Sequence, residues 1–356
     1  MIKKLQNLIN LPDSKIDGAL IMSSENRRYF TGFESSDGVL LVTGDKAVFI
    51  TDSRYIEAAE NTVKSCEVNL LEDFYAQVGG FFEKEGKKSV GIEASRLTVS
   101  ELRSLSEKLG QLDFVTDNTL DTFIESLRSV KNHAEIESIK AAQRIAEKAL
   151  INAYSMIKDG VTEKDIQLEL DFYMLKNGAE ALSFETIAVA GKKSSMPHGV
   201  PSDNVVHNGD FITMDFGAVV NGYHSDMTRT VALGFATDEM KSVYNTVLTA
   251  QNESIKSYLP GVKCSDADKV ARDIITEAGY GDYFGHGLGH GVGVEIHEHP
   301  SVSPRSEGVL KEGFVVTDEP GIYIPDKFGV RIEDMIYITA DGNMNLTEAD
   351  KQLIIL

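Results

Sequence analysis

The sequence predicts an α/β protein in two parts: a small α/β domain over residues 1–126, then a larger unit over 127–356 whose two halves repeat one another. Three observations predict it. Short apolar runs alternate with helical patterns near the start, a long 3.6-period stretch opens the second part, and glycines and carboxylates recur at fixed spacings along that part. The chain has 356 residues, 42% hydrophobic and 25% charged, which is ordinary for folded domains and long enough for two.

In the first part, GALIMSS, GVLLVTG, KAVFITD and SVGIEAS read as strands, separated by amphipathic stretches such as YIEAAENTVK. The character changes near Leu127. There NHAEIESIKAAQRIAEKALINAYSMIKDG carries a helical period that Gly160 is placed to stop. GVTEKDIQLELDFYMLKNGAE after this helix is echoed by GVKCSDADKVARDIITEAGYGD after the next, and the spacing of Gly160 to Gly178 equals that of Gly261 to Gly279. Thr162 and Ser265 stand where each following helix needs a cap. Strands GDFITMD and GFVVTDE then bring Asp215 and Glu319 to equal distances from Gly209 and Gly313, and each is followed by a second acid, Asp226 or Glu333.

Two copies of one helix–helix–hairpin unit, packed about a pseudo-twofold axis, would bring these four acids to one point. Four carboxylates together repel, and burial adds several kcal/mol to the cost unless cations neutralise them or protons bind. A metal site follows. Seven of the eight histidines lie between positions 198 and 299, four of them in FGHGLGHGVGVEIHEHP: His286, His290, His297 and His299. Oxygen-rich donors with one imidazole suit manganese or a similar divalent ion better than the thiolate or multi-histidine sets of structural zinc. Asp215, Asp226, His290, Glu319 and Glu333 are therefore candidate ligands of two divalent ions, with manganese expected and cobalt or zinc as alternatives. Paired metals that acidify water and polarise a carbonyl are equipped for amide hydrolysis. Glu319 is also a candidate proton acceptor, and Arg331, two residues before Glu333, is placed to orient that acid or its neighbours.

These residues carry a resemblance that covers essentially the whole chain. PHGVPSD, MDFGA, SDMTRT, FGHGLGHGVGVEIHEHP, DEPGIYI and GVRIED occur in the order and spacing of the creatinase/aminopeptidase P/prolidase family. The resemblance implies a creatinase-like amino-terminal domain and a pita-bread catalytic domain. It assigns Asp215 and Asp226 to one metal and His290 with Glu319 to the other, while Asp226 and Glu333 complete bridging or chelating contacts. It also implies that His198 and His297 position the substrate and assist proton transfer, and that His286 and Tyr323 border the substrate pocket. One departure is visible: Asp318 precedes Glu319, where relatives commonly have an apolar or amide side chain. On a strand it should face away from Glu319.

The activity expected from the resemblance is that of an Xaa-Pro aminopeptidase acting on proline-containing peptides, with an Xaa-Pro dipeptidase (prolidase) as the alternative. A metal-free creatinase-like hydrolase or an inactive binding module would not be expected to retain all five ligands. The amino-terminal segments SSENRRYFTGFESSDG and FITDSRYIEAA resemble the family's leading domain, which builds a dimer and sometimes reaches the neighbour's site; Arg54 and Tyr55 are the residues of interest. A homodimer is expected on that ground.

Other chemistries are disfavoured. GHGLGHGVG lacks the Lys-Ser/Thr of a phosphate loop, and no GxSxG elbow occurs. Lys and Arg total 35 against 55 Asp and Glu, a formal charge of -20, which excludes nucleic acid and anionic membrane surfaces as expected partners. No apolar run approaches the ~18 residues of a spanning helix. The start MIKKLQNLINLPD lacks a signal-like apolar stretch, so a cytoplasmic location is expected. Two cysteines, Cys66 and Cys264, form neither a disulfide framework nor a thiolate cluster.

Overall fold

The computed structural model describes residues 1–356, which divide into two compact units, Met1–Arg128 and Ser129–Leu356. The first is built on one six-stranded mixed sheet. Its order is Glu67–Leu70, Ala47–Thr51, Val39–Thr43, Gly18–Ile21, Ser89–Ile92 and Asp113–Val115. Gly18–Ile21 pairs antiparallel with Val39–Thr43 and parallel with Ser89–Ile92. Its four central strands are largely apolar and buried, and Leu20, Leu41 and Val90 on them pack with Val78 and Phe82 of helix Phe74–Lys84 in one core. Within this unit Arg54 is exposed and pairs with Asp52 and Asp37, while the Tyr55 and Ser36 hydroxyls lie 3.0 Å apart.

The second unit opens with helix His133–Tyr154. Asn132 and Glu135 form its capping box, and Ile136, Ile139, Ala142, Ala146 and Leu150 make its buried stripe. The helix ends at Tyr154, short of the stop expected at Gly160. Gly160 instead supplies a left-handed turn (φ +95°) leading into the next helix, Glu163–Lys176. Thr162 caps that helix as its sequence suggests, with Asp165 completing the box. In the second half the expectation for Ser265 fails. Helix Cys264–Glu277 begins two residues earlier than a Ser265 cap would set it, with Lys263 at the cap position and no side-chain cap bond, because Cys264 N donates to the Gly308 carbonyl (2.9 Å) and the loop satisfies the helix end.

The repeat is written into the backbone. Gly160, Gly178 and Gly209 have φ values of +95°, +107° and +93°, and their counterparts Gly261, Gly279 and Gly313 have +91°, +87° and +90°. Each half then packs helices on a hairpin over its own core: Leu170, Met174, Met214 and Phe216 in one, Val247, Tyr258, Val316 and Ile336 in the other. In the first hairpin, Phe211–Phe216 pairs with Met227–Ala232, setting Asp215 opposite Thr228. In the second, Val315–Asp318 pairs with Asp334–Ile338, setting Asp318 opposite Asp334. No helix is long and apolar enough to cross a membrane.

Candidate metal centre

Each hairpin delivers one acid near a strand end and one at the start of the return strand. Asp215 lies in Phe211–Phe216, Asp226 immediately before Met227–Ala232, Glu319 just after Val315–Asp318, and Glu333 just before Asp334–Ile338. His290 comes from the short strand Gly289–Gly291, whose Gly291 pairs with Val316 in the strand that leads to Glu319. These five line one cavity of about 790 Å³ together with His198, His286, His297 and Arg331. Apolar walls come from Phe184, Ile187, Val200, Pro201 and Ile296.

Donor atoms of Asp226, His290 and Glu333 lie within 4.8 Å of one another. His290 Nε2 is 3.6 Å from Asp226 Oδ2 and 3.6 Å from Glu319 Oε1, too far for good hydrogen bonds and open enough for an ion between them. Because the Gly291 carbonyl can only accept, His290 Nδ1 (3.0 Å) must carry the proton, which leaves Nε2 with its lone pair toward the acids. Burial lowers the His290 pKa to about 4, keeping that lone pair free at neutral pH. Asp215 Oδ1 is buried with no hydrogen-bond partner.

The acids are electrostatically frustrated. Burial, then Asp215 and Glu319, pushes Asp226 well above the usual carboxylate range. Burial, then Asp226, Glu319 and Asp215, does the same to Glu333. Glu319 rises to about 8, chiefly through burial. An orphaned carboxylate oxygen, a free imidazole lone pair and three acids that resist ionisation fit a group of divalent cations.

Of the acids Arg331 was placed to orient, it holds the neighbouring Asp215 and not Glu333. It makes no bidentate contact with Glu333; Nη2 donates to Asp215 Oδ2 (2.6 Å), Nη1 to the Tyr323 hydroxyl (2.9 Å) and Nε to Thr228 Oγ1 (2.9 Å). The reason is the turn at Ile332. Arg331 ends strand Phe328–Arg331 while Glu333 leads into another sheet, so the two do not share a strand face. With Arg331 donating to it, the Thr228 hydroxyl turns its own proton to Glu333 Oε2 (2.7 Å). Thr228 escaped the sequence reading, although a period-2 strand places it on the face shared with Asp226.

Tyr323 stands behind the cavity rather than in its wall. His286 Nδ1 faces the Gly287 carbonyl (2.8 Å) and so donates, leaving Nε2 to accept from the Tyr323 hydroxyl (2.9 Å). Burial, with the Arg331 charge second, lowers His286 to about 4, consistent with that neutral acceptor. His297 sits edge-on to His290, with ring centroids 4.4 Å apart. Asp318 is fully buried on the opposite face from Glu319, accepting from Ser254 Oγ (3.0 Å). Of the remaining histidines, His207 pairs with Asp159 at the surface and His224 Nδ1 lies 2.9 Å from Ser183 Oγ.

Comparison with known proteins adds identity to this geometry. The model of a family described as Metallopeptidase family M24 matches residues 137–340, and that of the Creatinase/Prolidase N-terminal domain matches residues 1–130. An uncharacterized peptidase of Bacillus subtilis, YqhT, is 43% identical over 100% of this chain and 99% of its own. A protein named Xaa-Pro dipeptidase from Pyrococcus horikoshii is 39% identical, covering 99% of both. Among solved structures, an Xaa-Pro dipeptidase from Bacillus anthracis is similar with a TM-score of 0.95 and 41% identity, covering 100% of this chain and 99% of that one. An X-Pro aminopeptidase from Thermotoga maritima gives 0.90 and 38%, covering 96% and 98%. The expected fold class, a small creatinase-like α/β domain followed by a pita-bread domain with an internal repeat, is the one found.

Proposed function

The chain belongs to metallopeptidase family M24, and from that premise we propose that it is an Xaa-Pro dipeptidase, cleaving dipeptides whose second residue is proline. The observation that carries the reading is the cluster of acids and neutral imidazoles gathered in one cavity. The names of full-length relatives support the dipeptidase form over the aminopeptidase form expected from the sequence. The aminopeptidase stays as the second reading because the Thermotoga maritima protein bears that name at nearly equal similarity.

Asp215, Asp226, His290, Glu319 and Glu333 would hold two divalent ions, and the oxygen-rich donor set favours manganese over zinc. When bound, such ions supply Lewis acidity that polarises a carbonyl and lowers the pKa of water. The chain's own residues do the rest. Glu319, whose Oε1 faces His290 across 3.6 Å, accepts a proton. His198 and His297 line the cavity beside the acids and hold the substrate's polar groups. Arg331 aims Asp215 by donating to its Oδ2, and Thr228 does the same for one oxygen of Glu333. The apolar wall accepts the pyrrolidine ring and excludes water, orienting a tertiary amide that general peptidases handle poorly.

A peptide panel tests the reading. Manganese-loaded protein is given Xaa-Pro dipeptides and matched Xaa-Pro-Xaa tripeptides, and free amino acids are measured. The dipeptides should be cut at least about 100-fold faster. Faster cutting of the tripeptides would move the assignment to the aminopeptidase. We also assign residues 1–126 to the amino-terminal domain and 127–356 to the catalytic one, and expect a cytoplasmic homodimer.

A further inference from the structure

The two halves match at the entrance to their second helices, hydrogen bond for hydrogen bond. Gly160 N donates to the Val206 carbonyl as Gly261 N does to Leu310, and Glu163 N donates to Asn204 as Cys264 N does to Gly308. The bridges Thr162–Val205 and Lys263–Val309 correspond as well. Glu163 and Cys264 are therefore equivalent positions, and both are completely buried. Cys264 packs into the apolar core of its half. Glu163 places a carboxylate at the same point, a costly choice unless both oxygens are satisfied.

They are. Oε1 accepts from Ala190 N (2.9 Å) and Asn204 Nδ2 (3.0 Å). Oε2 accepts from Lys193 Nζ (2.7 Å), Ser202 N (3.1 Å) and Ser202 Oγ (3.0 Å). Ala190 and Lys193 precede His198 in the chain; Ser202 and Asn204 follow it. One buried side chain thus closes the whole 190–204 segment, and His198 lies inside the closed loop. The middle of the loop is tied separately: Gly329 N donates to Ser194 Oγ (2.9 Å) and Arg331 Nη1 to the Pro197 carbonyl (3.3 Å). The half whose equivalent position is a thiol has no such staple.

We propose that Glu163 is a positioning residue, fixing the 190–204 loop and through it the place of His198 at the cavity. The inference rests on the reading of His198 as a substrate-contacting group. Its test is Glu163→Gln, which keeps the shape but turns one acceptor into a donor. Three readouts are taken on the full chain: trypsin cleavage after the exposed Lys192 and its neighbour Lys193, bound manganese, and kcat/KM on an Xaa-Pro dipeptide. The variant should be cut at those lysines about tenfold faster and lose about tenfold in kcat/KM with manganese content unchanged. In a His198→Ala background the same substitution should cost less than about twofold. Unchanged trypsin cleavage, or an equal loss in both backgrounds, overturns the proposal. Should Glu163→Gln fail to fold, Ser202→Ala in the same two backgrounds decides, with about threefold expected in the first and no loss in the second. If the unsubstituted protein cuts no Xaa-Pro peptide, the proposed function falls, while the trypsin comparison still decides whether Glu163 holds the loop.

Discussion

Stripping divalent ions from this protein should make its stability fall as pH rises above neutrality, the reverse of ordinary acid denaturation. Glu319 has a pKa of about 8 in the fold, against an ordinary value of 4.5, so between these values the metal-free folded state holds a proton that the unfolded chain has released. Stability therefore drops with pH across that range, by about 1.4 kcal/mol per unit for each such proton. His286 and His290 work the other way. Their pKa values are lowered to about 4 from 6.5, so their contribution is lost as pH falls below 6.5 and is constant above it. The clean window is pH 6.5 to 8. One proton over that window is worth about 2 kcal/mol, or roughly 4–8 °C in Tm for a unit of this size. Asp226 and Glu333, raised in the same direction, steepen the slope. Calorimetry in chelator at the two pH values reads the shift, and Glu319→Gln should flatten it. A chelated protein equally stable or more stable at pH 8 would refute the reasoning that these acids are held together against their charge.

Asp226→Ala and His290→Ala should each abolish Xaa-Pro hydrolysis and lower bound manganese, with far-UV circular dichroism preserved; near-normal activity in either removes that residue from the site. His297→Ala should reduce kcat far more than manganese content, since its ring stands beside His290 without joining the donor group; equal losses would make it a ligand. Thr228→Val leaves Glu333 Oε2 and Arg331 Nε short of a partner, and should weaken metal affinity about 10–100-fold by titration, with Thr228→Ser close to the parent.

Much of this architecture was legible in the sequence, because a repeat needs the same unusual backbone twice. Glycines are tolerant of positive φ, so Gly160, Gly178 and Gly209 and their three counterparts mark turns that any copy must keep. The acids and histidines stood out for the opposite reason: four carboxylates brought to one point make no sense as packing. What was hidden depends on partners far apart in sequence. Nothing local announces that Thr228 meets Glu333, or which of the neighbouring acids Arg331 would hold, because the turn between two sheets decides it. Glu163 stands in the first turn of its helix, where the dipole favours any acid, and only the fold brings the far side of the loop onto it. Ser265 misled because capping preference is weak where a loop carbonyl already satisfies the helix end.

The central claim is that the buried acids tolerate one another through shared cations. Anomalous diffraction at the manganese edge, from crystals of this protein grown with manganese, measures that directly. Two peaks enclosed by Asp215, Asp226, His290, Glu319 and Glu333 are the predicted result; a cluster without any peak, its carboxyls bonded to one another through protons, would contradict it.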